Sequence, residues 1–311
     1  MERPQKDRPP LLLAGPTASG KSALALALAE RTGAIIVNAD SQQVYDGWRI
    51  LSARPSPTEE ARAPHRLFGH VPLQASYSAG AWLRDAERAL AEARRAGRPA
   101  ILVGGTGLNF KALTEGIAPI PPTGPAIRAA AEAELERLGI RAFAEALAAR
   151  DPETVAALDR ANPMRLLRAW EVLAQTGRGL AAWRSETAAP LLPLSEARAV
   201  ALVPPRSWLY ARTEARFEAM LRAGVLEEVR EVMARSLPPE APGLKAVGAP
   251  ELMAHLRGEL SLSDAIRAAQ TATRRYAKRQ LTWIRNQMAE WPRLDPSAEP
   301  AEALADRLVR G

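Results

Sequence analysis

The sequence predicts a doubly wound α/β protein: a parallel sheet covered by helices, with an all-helical insertion. Three observations carry that expectation. Short apolar runs at Leu11 to Ala14, Ala34 to Asn38, Ala100 to Val103 and Ala199 to Val203 are each followed by Gly, Asp or Pro. Continuous rather than alternating hydrophobicity marks strands buried on both faces. Helical stretches lie between them, notably Ser22 to Arg31 and Ala79 to Ala96, the second closed by Gly97-Arg98-Pro99. Strands alternating with helices imply parallel pairing. After the proline-rich Ile117 to Pro125 the character changes, and Ala126 to Leu147 and Met164 to Thr176 read as amphipathic helices with no strand between them.

That break divides the chain into a first core segment at 1–122, a helical insertion at 123–192, and a second core segment at 193–311 that carries basic helices. The end, Asp295 to Gly311, reads as peripheral. A length of 311 residues with 47% hydrophobic content suits two domains, at ~100 to 200 residues each. No apolar run approaches the ~18 residues of a membrane span, and Met1 to Pro10 lacks the apolar segment of a secretory signal. The expectation is a cytoplasmic protein that makes no use of a membrane. The absence of cysteine excludes disulfides, thiol catalysis and cysteine-ligated zinc. His65, His70 and His255 are too scattered for a zinc site. A net charge of +7 and a pI near 10.2 suit a polyanionic partner, a weak sign until the charges are placed.

Between the first strand and the first helix, Gly15-Pro16-Thr17-Ala18-Ser19-Gly20-Lys21-Ser22 fills every position of the pattern G-x-x-x-x-G-K-[ST]. Such a loop turns backbone N–H groups toward a chain of phosphates, adds the Lys21 charge and offers the Ser22 hydroxyl to Mg2+. The predicted core is therefore P-loop NTPase-like. Whose phosphates it holds, the loop alone does not say.

The carboxyl ends of the next two strands face the same edge. The second leads into Asp40-Ser41-Gln42-Gln43-Val44-Tyr45, where Asp40 is the candidate general base, against a competing reading as a turn or cap aspartate. The third ends in Val103-Gly104-Gly105-Thr106, whose glycines admit close backbone approach and whose Thr106 presents a hydroxyl. Arg212 and Arg216, four residues apart, share a helix face after the last predicted strand. A guanidinium there suits a departing phosphate, with a surface ion pair as the plainer alternative. On the last long helix Arg267, Arg274, Lys278 and Arg285 form one stripe, with Tyr276 and Trp283 on a neighbouring face. The stripe can track a phosphate backbone or be a solvated charged face. A second basic pair, Arg165 and Arg168, lies on the insertion, and together the two suggest a clamp around something long.

In this order the pieces resemble the tRNA dimethylallyltransferase, or tRNA isopentenyltransferase, family from about Leu11 to Arg285. The most specific elements are Gly15 to Ser22, Asp40-Ser41-x-Gln43-x-Tyr45, Val103-Gly104-Gly105-Thr106, Pro163-x-Arg165-x-x-Arg168-Ala169-x-Glu171-Val172, and Ala277-Lys278-Arg279-Gln280-x-Thr282-Trp283-x-Arg285. The resemblance implies transfer of a dimethylallyl group from dimethylallyl diphosphate to N6 of adenosine 37 in a tRNA anticodon loop, with Mg2+ as cofactor. It implies Asp40 as base, with Thr106, Lys21 and Arg216 stabilising the leaving diphosphate and Gly15 to Ser22 binding it. It also implies tRNA contacts at Asp40, Ser41, Gln42, Gln43, Thr106, Arg128, Met164, Arg165, Leu166, Leu167, Arg168, Lys245, Lys278, Arg279 and Arg285. The chain departs from the pattern at Arg49 to Pro55, where the usual glycine is lost, and at Asn109, Asn162 and Ala249. By the resemblance these positions lie mainly in RNA-facing or supporting segments, and Lys21, Asp40, Thr106 and Arg216 are all present. A monomer is the simpler expectation. The rivals are an ATP-dependent small-molecule kinase, a prenyltransferase acting on free adenine nucleotides, and an RNA-binding module using the loop as a switch.

Overall fold

A computed structural model describes residues 8–310. Its strands are β1 (Leu11–Ala14), β2 (Ile35–Asn38), β3 (His65–Arg66), β4 (Ala100–Gly104), β5 (Arg198–Leu202) and β6 (Arg293–Leu294). They pair in parallel in the order β3-β2-β4-β1-β5-β6. The four apolar runs form the centre, as their composition predicts. The edge strands β3 and β6 are two residues long and carry no run that could announce them.

Each central strand sends alternate side chains to opposite faces. Leu12, Ala14, Ile35, Val37 and Leu102 meet α3 (Ala79–Arg95), α4 (Gly107–Glu115) and α12 (Leu262–Gln287) through Trp82, Phe110, Leu113 and Ile284. Leu13, Ile36, Ile101, Val103 and Val200 meet α1 (Lys21–Thr32) and α13 (Ala301–Arg310) on the other. The C-terminal segment is therefore not peripheral. Leu304 and Ala305 are buried against α1, and the signal for this is the spacing of Leu304, Ala305 and Leu308 on one face of a ten-residue helix.

Between β2 and α3 lies the short α2 (Pro57–Arg62), and after β5 come α9 (Arg206–Arg222), α10 (Val225–Ala234) and α11 (Ala249–Leu256). Val44, Trp48, Leu51, Phe217, Met220, Val225 and Val229 join a further apolar cluster with α11 and α12. It supports the segment that follows Asp40.

The chain divides into two compact units, one of them Glu115–Pro190, where the sequence places an insertion at 123–192. That unit holds α5 (Pro125–Arg150), α6 (Pro152–Ala156), α7 (Pro163–Thr176) and α8 (Leu180–Arg184). Its own core includes Phe143, Leu147, Val155, Leu166, Leu167 and Val172, and Phe143 stacks on Trp170 with ring centroids 4.5 Å apart. Gly139, at φ 71°, kinks α5.

Candidate active site

The site is built where β1, β4 and β2 end side by side. The chain leaves β1 through residues 15–20 and enters α1 at Lys21, with Gly20 at φ +88° as the N-cap. Only glycine takes that conformation without strain. Ser19 N–H donates to the Pro16 carbonyl (3.2 Å), and the Lys21 ammonium to the same carbonyl (3.3 Å). Burial holds the Lys21 ammonium down at about 8; Asp40 opposes that shift and Arg216 adds to it. Arg216 is likewise lowered by burial, with Asp40 again opposing. A buried ammonium and a half-buried guanidinium beside one carboxylate make a recess of net positive charge, which an anion would stabilise.

Asp40 is held by its neighbours before any ligand arrives. Its N–H donates to Asn38 Oδ1 (2.9 Å), and Asn38 Nδ2 donates to the Asp40 carbonyl (3.0 Å). Asp40 Oδ1 accepts from Gln42 N–H (2.9 Å). Oδ2 lies toward Gly105, where a Cβ would stand 3.2 Å from it and 2.0 Å from Gln280 Nε2. A Cβ at Gly104 would come within 2.2 Å of the Ala39 carbonyl. The two glycines thus let β4 close on β2. Thr106 Oγ1 accepts from Ser41 N–H (2.8 Å) and donates to Ser41 Oγ (3.1 Å).

From α12, Tyr276 enters this group. Burial and the Asp40 charge push its phenol up, while hydrogen bonds with Gln42, Ser41 and Thr106 pull it back. Gln280, one turn on, is 5% exposed and ties two of the strand ends together. Its Oε1 accepts from Thr17 N–H (2.8 Å) and its Nε2 donates to the Gly105 carbonyl (3.0 Å). Arg212 adds a third brace, its Nε donating to the Ala18 carbonyl (3.0 Å) while its guanidinium lies over Trp208. The sequence contains one sign of the Gln280 bridge: a polar residue in line with buried Ala277, Leu281 and Ile284 must spend its amide inside. Changing Gln280 to Leu strands Thr17 N–H and the Gly105 carbonyl. The expected loss is about 1–3 kcal/mol per stranded group, read as a lower urea midpoint at unchanged slope.

Thr17, Lys21, Asp40, Gln42, Gln43, Ser52, Arg216 and Tyr276 line one cleft, with Leu51, Phe217, Met220 and Val247 as its apolar wall. Thr106 meets it through Ser41 and Tyr276.

Other sequence-predicted residues fall differently. Gln43 is buried, and its amide donates to the carbonyls of Ser52 (3.0 Å) and Ala53 (2.7 Å), so it shapes the cleft wall from within. Leu166 and Leu167 face the core of the helical unit, a correction to their reading as RNA contacts: helical periodicity turns them inward while Met164 and Arg165 stay exposed. In the same unit Glu171, 5% exposed, lies 3.6 Å from Arg168 and 3.9 Å from Arg128. Lys245, Lys278, Arg279 and Arg285 are exposed. Arg267 and Arg274, counted with the basic stripe, pair with Asp264 and Glu214. Among the described residues no helix is long and apolar enough to cross a membrane.

The chain matches known proteins over most of its length. The family model described as IPP transferase matches residues 43–287, and one described as isopentenyl transferase matches 10–69. A tRNA dimethylallyltransferase of Phenylobacterium zucineum is 56% identical, over 91% of this chain and 91% of that protein. One from Nitrobacter hamburgensis is 51% identical over 97% and 94%. The crystal structure of the full-length tRNA isopentenylpyrophosphate transferase from Bacillus halodurans superposes with a TM-score of 0.69 at 28% identity, covering 98% of this chain and 95% of that one.

Proposed function

This chain belongs to the tRNA dimethylallyltransferase, or IPP transferase, family, and we propose that it transfers a dimethylallyl group from dimethylallyl diphosphate to N6 of adenosine 37 in the tRNA anticodon loop. The observation that carries this reading is a single cleft in which a phosphate loop, a fixed carboxylate and an apolar wall meet. A phosphate loop alone would serve a kinase. An apolar wall beside it suits a donor whose transferred group is a hydrocarbon.

The chemistry follows from the groups present. The C1–O bond of the allylic diphosphate breaks with its electron pair leaving on diphosphate, and N6 of adenine forms a bond to C1. The exocyclic amine is a weak nucleophile because its lone pair is shared with the ring, so Asp40 takes the departing N6 proton. Lys21, Arg216 and the loop amides meet the charge that grows on the leaving oxygen. Thr106, fixed by Ser41, holds the hydroxyl side of the site.

For Mg2+ the donor set fits a partly hydrated ion rather than an all-protein cage. Ser22 is exposed in the first turn of α1, and among the described residues no group of three His, Cys, Asp or Glu could hold a metal. The Ser22 hydroxyl would hold the ion, with diphosphate oxygens and water as its other ligands. When bound, the ion neutralises charge on the leaving diphosphate.

Exposed Lys278, Arg279 and Arg285 on α12, with Lys245, offer cations to the RNA backbone; Arg165 does so from the helical unit, joined there by Arg128 and Arg168, which also pair with Glu171. Among the described residues Lys278 and Arg285 have no ion pair, whereas Arg267 and Arg274 are committed to carboxylates. Replacing Lys278 and Arg285 with Ala is expected to weaken stem-loop binding and to flatten its salt dependence by about one unit of slope per lost contact. The same change at Arg267 should leave the slope nearly as it was. Filter binding across a salt series reads both.

For a tRNA substrate the proposed setting is the cytoplasm, and since one chain carries every group named, the proposed state is a monomer. The test is direct: protein, Mg2+ and dimethylallyl diphosphate are incubated with an anticodon stem-loop carrying A36-A37-A38, with AMP and ATP as parallel acceptors. Mass spectrometry should find one dimethylallyl group at A37. Prenylated AMP alone, or ATP turnover without transfer, would overturn the reading.

A further inference from the structure

The cleft is lined by cations and by an apolar wall, and the backbone that carries Leu51 in that wall is fixed by hydrogen bonds. Leu51 is 5% exposed and packs with Phe217 and Met220. The Glu228 carboxylate, on α10, fixes the backbone there by accepting three consecutive N–H groups. Oε1 accepts from Arg49 (2.6 Å) and Ile50 (2.7 Å), and Oε2 from Leu51 (2.8 Å). The next carbonyl, of Ser52, accepts from Gln43 Nε2 (3.0 Å) and Arg216 Nη2 (3.3 Å). One strap therefore joins the apolar wall to a cation of the phosphate end. Gly248 lies against the Leu51 side chain, where an added Cβ would stand 3.2 Å from Leu51 Cδ1.

We propose that Leu51, pinned by Glu228 and backed by Met220, sets the length of the prenyl chain the site accepts, admitting the five-carbon donor and excluding the ten-carbon one. The inference rests on the prenyl-transfer reading. A diphosphate anchored at Lys21 and Arg216 fixes the head of the donor, so the tail is measured against a wall that cannot retreat. The exclusion is steric: geranyl and dimethylallyl diphosphates carry the same allylic C1–O bond, and the same bond to N6 would form from either. Extra carbons need space that Leu51 and Met220 fill.

The experiment compares wild type, Leu51→Ala and Met220→Ala with dimethylallyl and geranyl diphosphates on the stem-loop. Calorimetry in the absence of RNA measures binding of the two S-thiolodiphosphates. Expected is a preference of wild type for the five-carbon donor in both readouts. In at least one variant the geranyl-to-dimethylallyl ratio of kcat/KM should rise by about tenfold or more, with a matching rise in the binding ratio. Equal use or binding of both donors by wild type, or unchanged ratios in both variants, overturns the proposal. Absence of dimethylallyl transfer by wild type would instead overturn the proposed function, and the binding ratios would still decide the role of Leu51.

Discussion

Replacing Asp40 with Asn is expected to lower kcat by about 10²- to 10⁴-fold, the usual contribution of a positioned general base, while the Kd for the stem-loop stays essentially unchanged. The split follows from what holds Asp40. Its backbone is fixed by Asn38 and its Oδ1 accepts from Gln42 N–H, contacts that an asparagine oxygen preserves. What the amide cannot do is take a proton from N6. The substitution also removes the one carboxylate that offsets Lys21 and Arg216, so diphosphate should bind no less tightly, and the KM for the donor should hold or fall. Single-turnover kinetics beside binding measurements separate these effects. A loss of stem-loop affinity comparable to the loss of turnover would make Asp40 an RNA contact instead of the base.

The parts of this site that the sequence shows are those whose chemistry is local. Gly15 to Ser22 announces itself because a phosphate loop needs its residues in one unbroken run. Asp40 and Thr106 are visible because each follows a recognisable buried strand, and the carboxyl ends of neighbouring parallel strands share an edge. The braces are not local. Gln280 meets Thr17 across 263 residues of chain, and Glu228 meets Leu51 across 177. The motif and the helical period single out Gln280 as a buried polar residue, but nothing in the sequence names Thr17 or Gly105 as its partners, and nothing marks Glu228 as the partner of residues 49–51, because each pairing depends on tertiary packing. Leu166 and Leu167 show the opposite error. The motif groups them with Arg165 and Arg168, whereas the helical period turns them into the core of their unit.

Lys21→Ala is expected to lower kcat/KM for the donor by about 10²- to 10³-fold, the scale of removing one donor aimed at developing negative charge. The wild-type lysine should also leave a mark in the pH profile. With its ammonium held at about 8 by burial, the charged form dominates below that pH and is lost above it. Since the diphosphate binds to the charge, kcat/KM for the donor should fall as pH rises through about 8. Stem-loop affinity should not follow, because Lys278 and Arg285 are exposed on α12 and do not line the cleft that holds Lys21. Bound diphosphate supplies the counter-charge that the empty recess lacks, which favours the ammonium. The limb in kcat should therefore lie at higher pH than the limb in kcat/KM. Lys21→Arg provides the control. Its guanidinium does not titrate in this range, so the limb near 8 should vanish even where the longer fork reduces the rate. A limb that persists in Lys21→Arg would assign the ionisation to another group and remove Lys21 as its source.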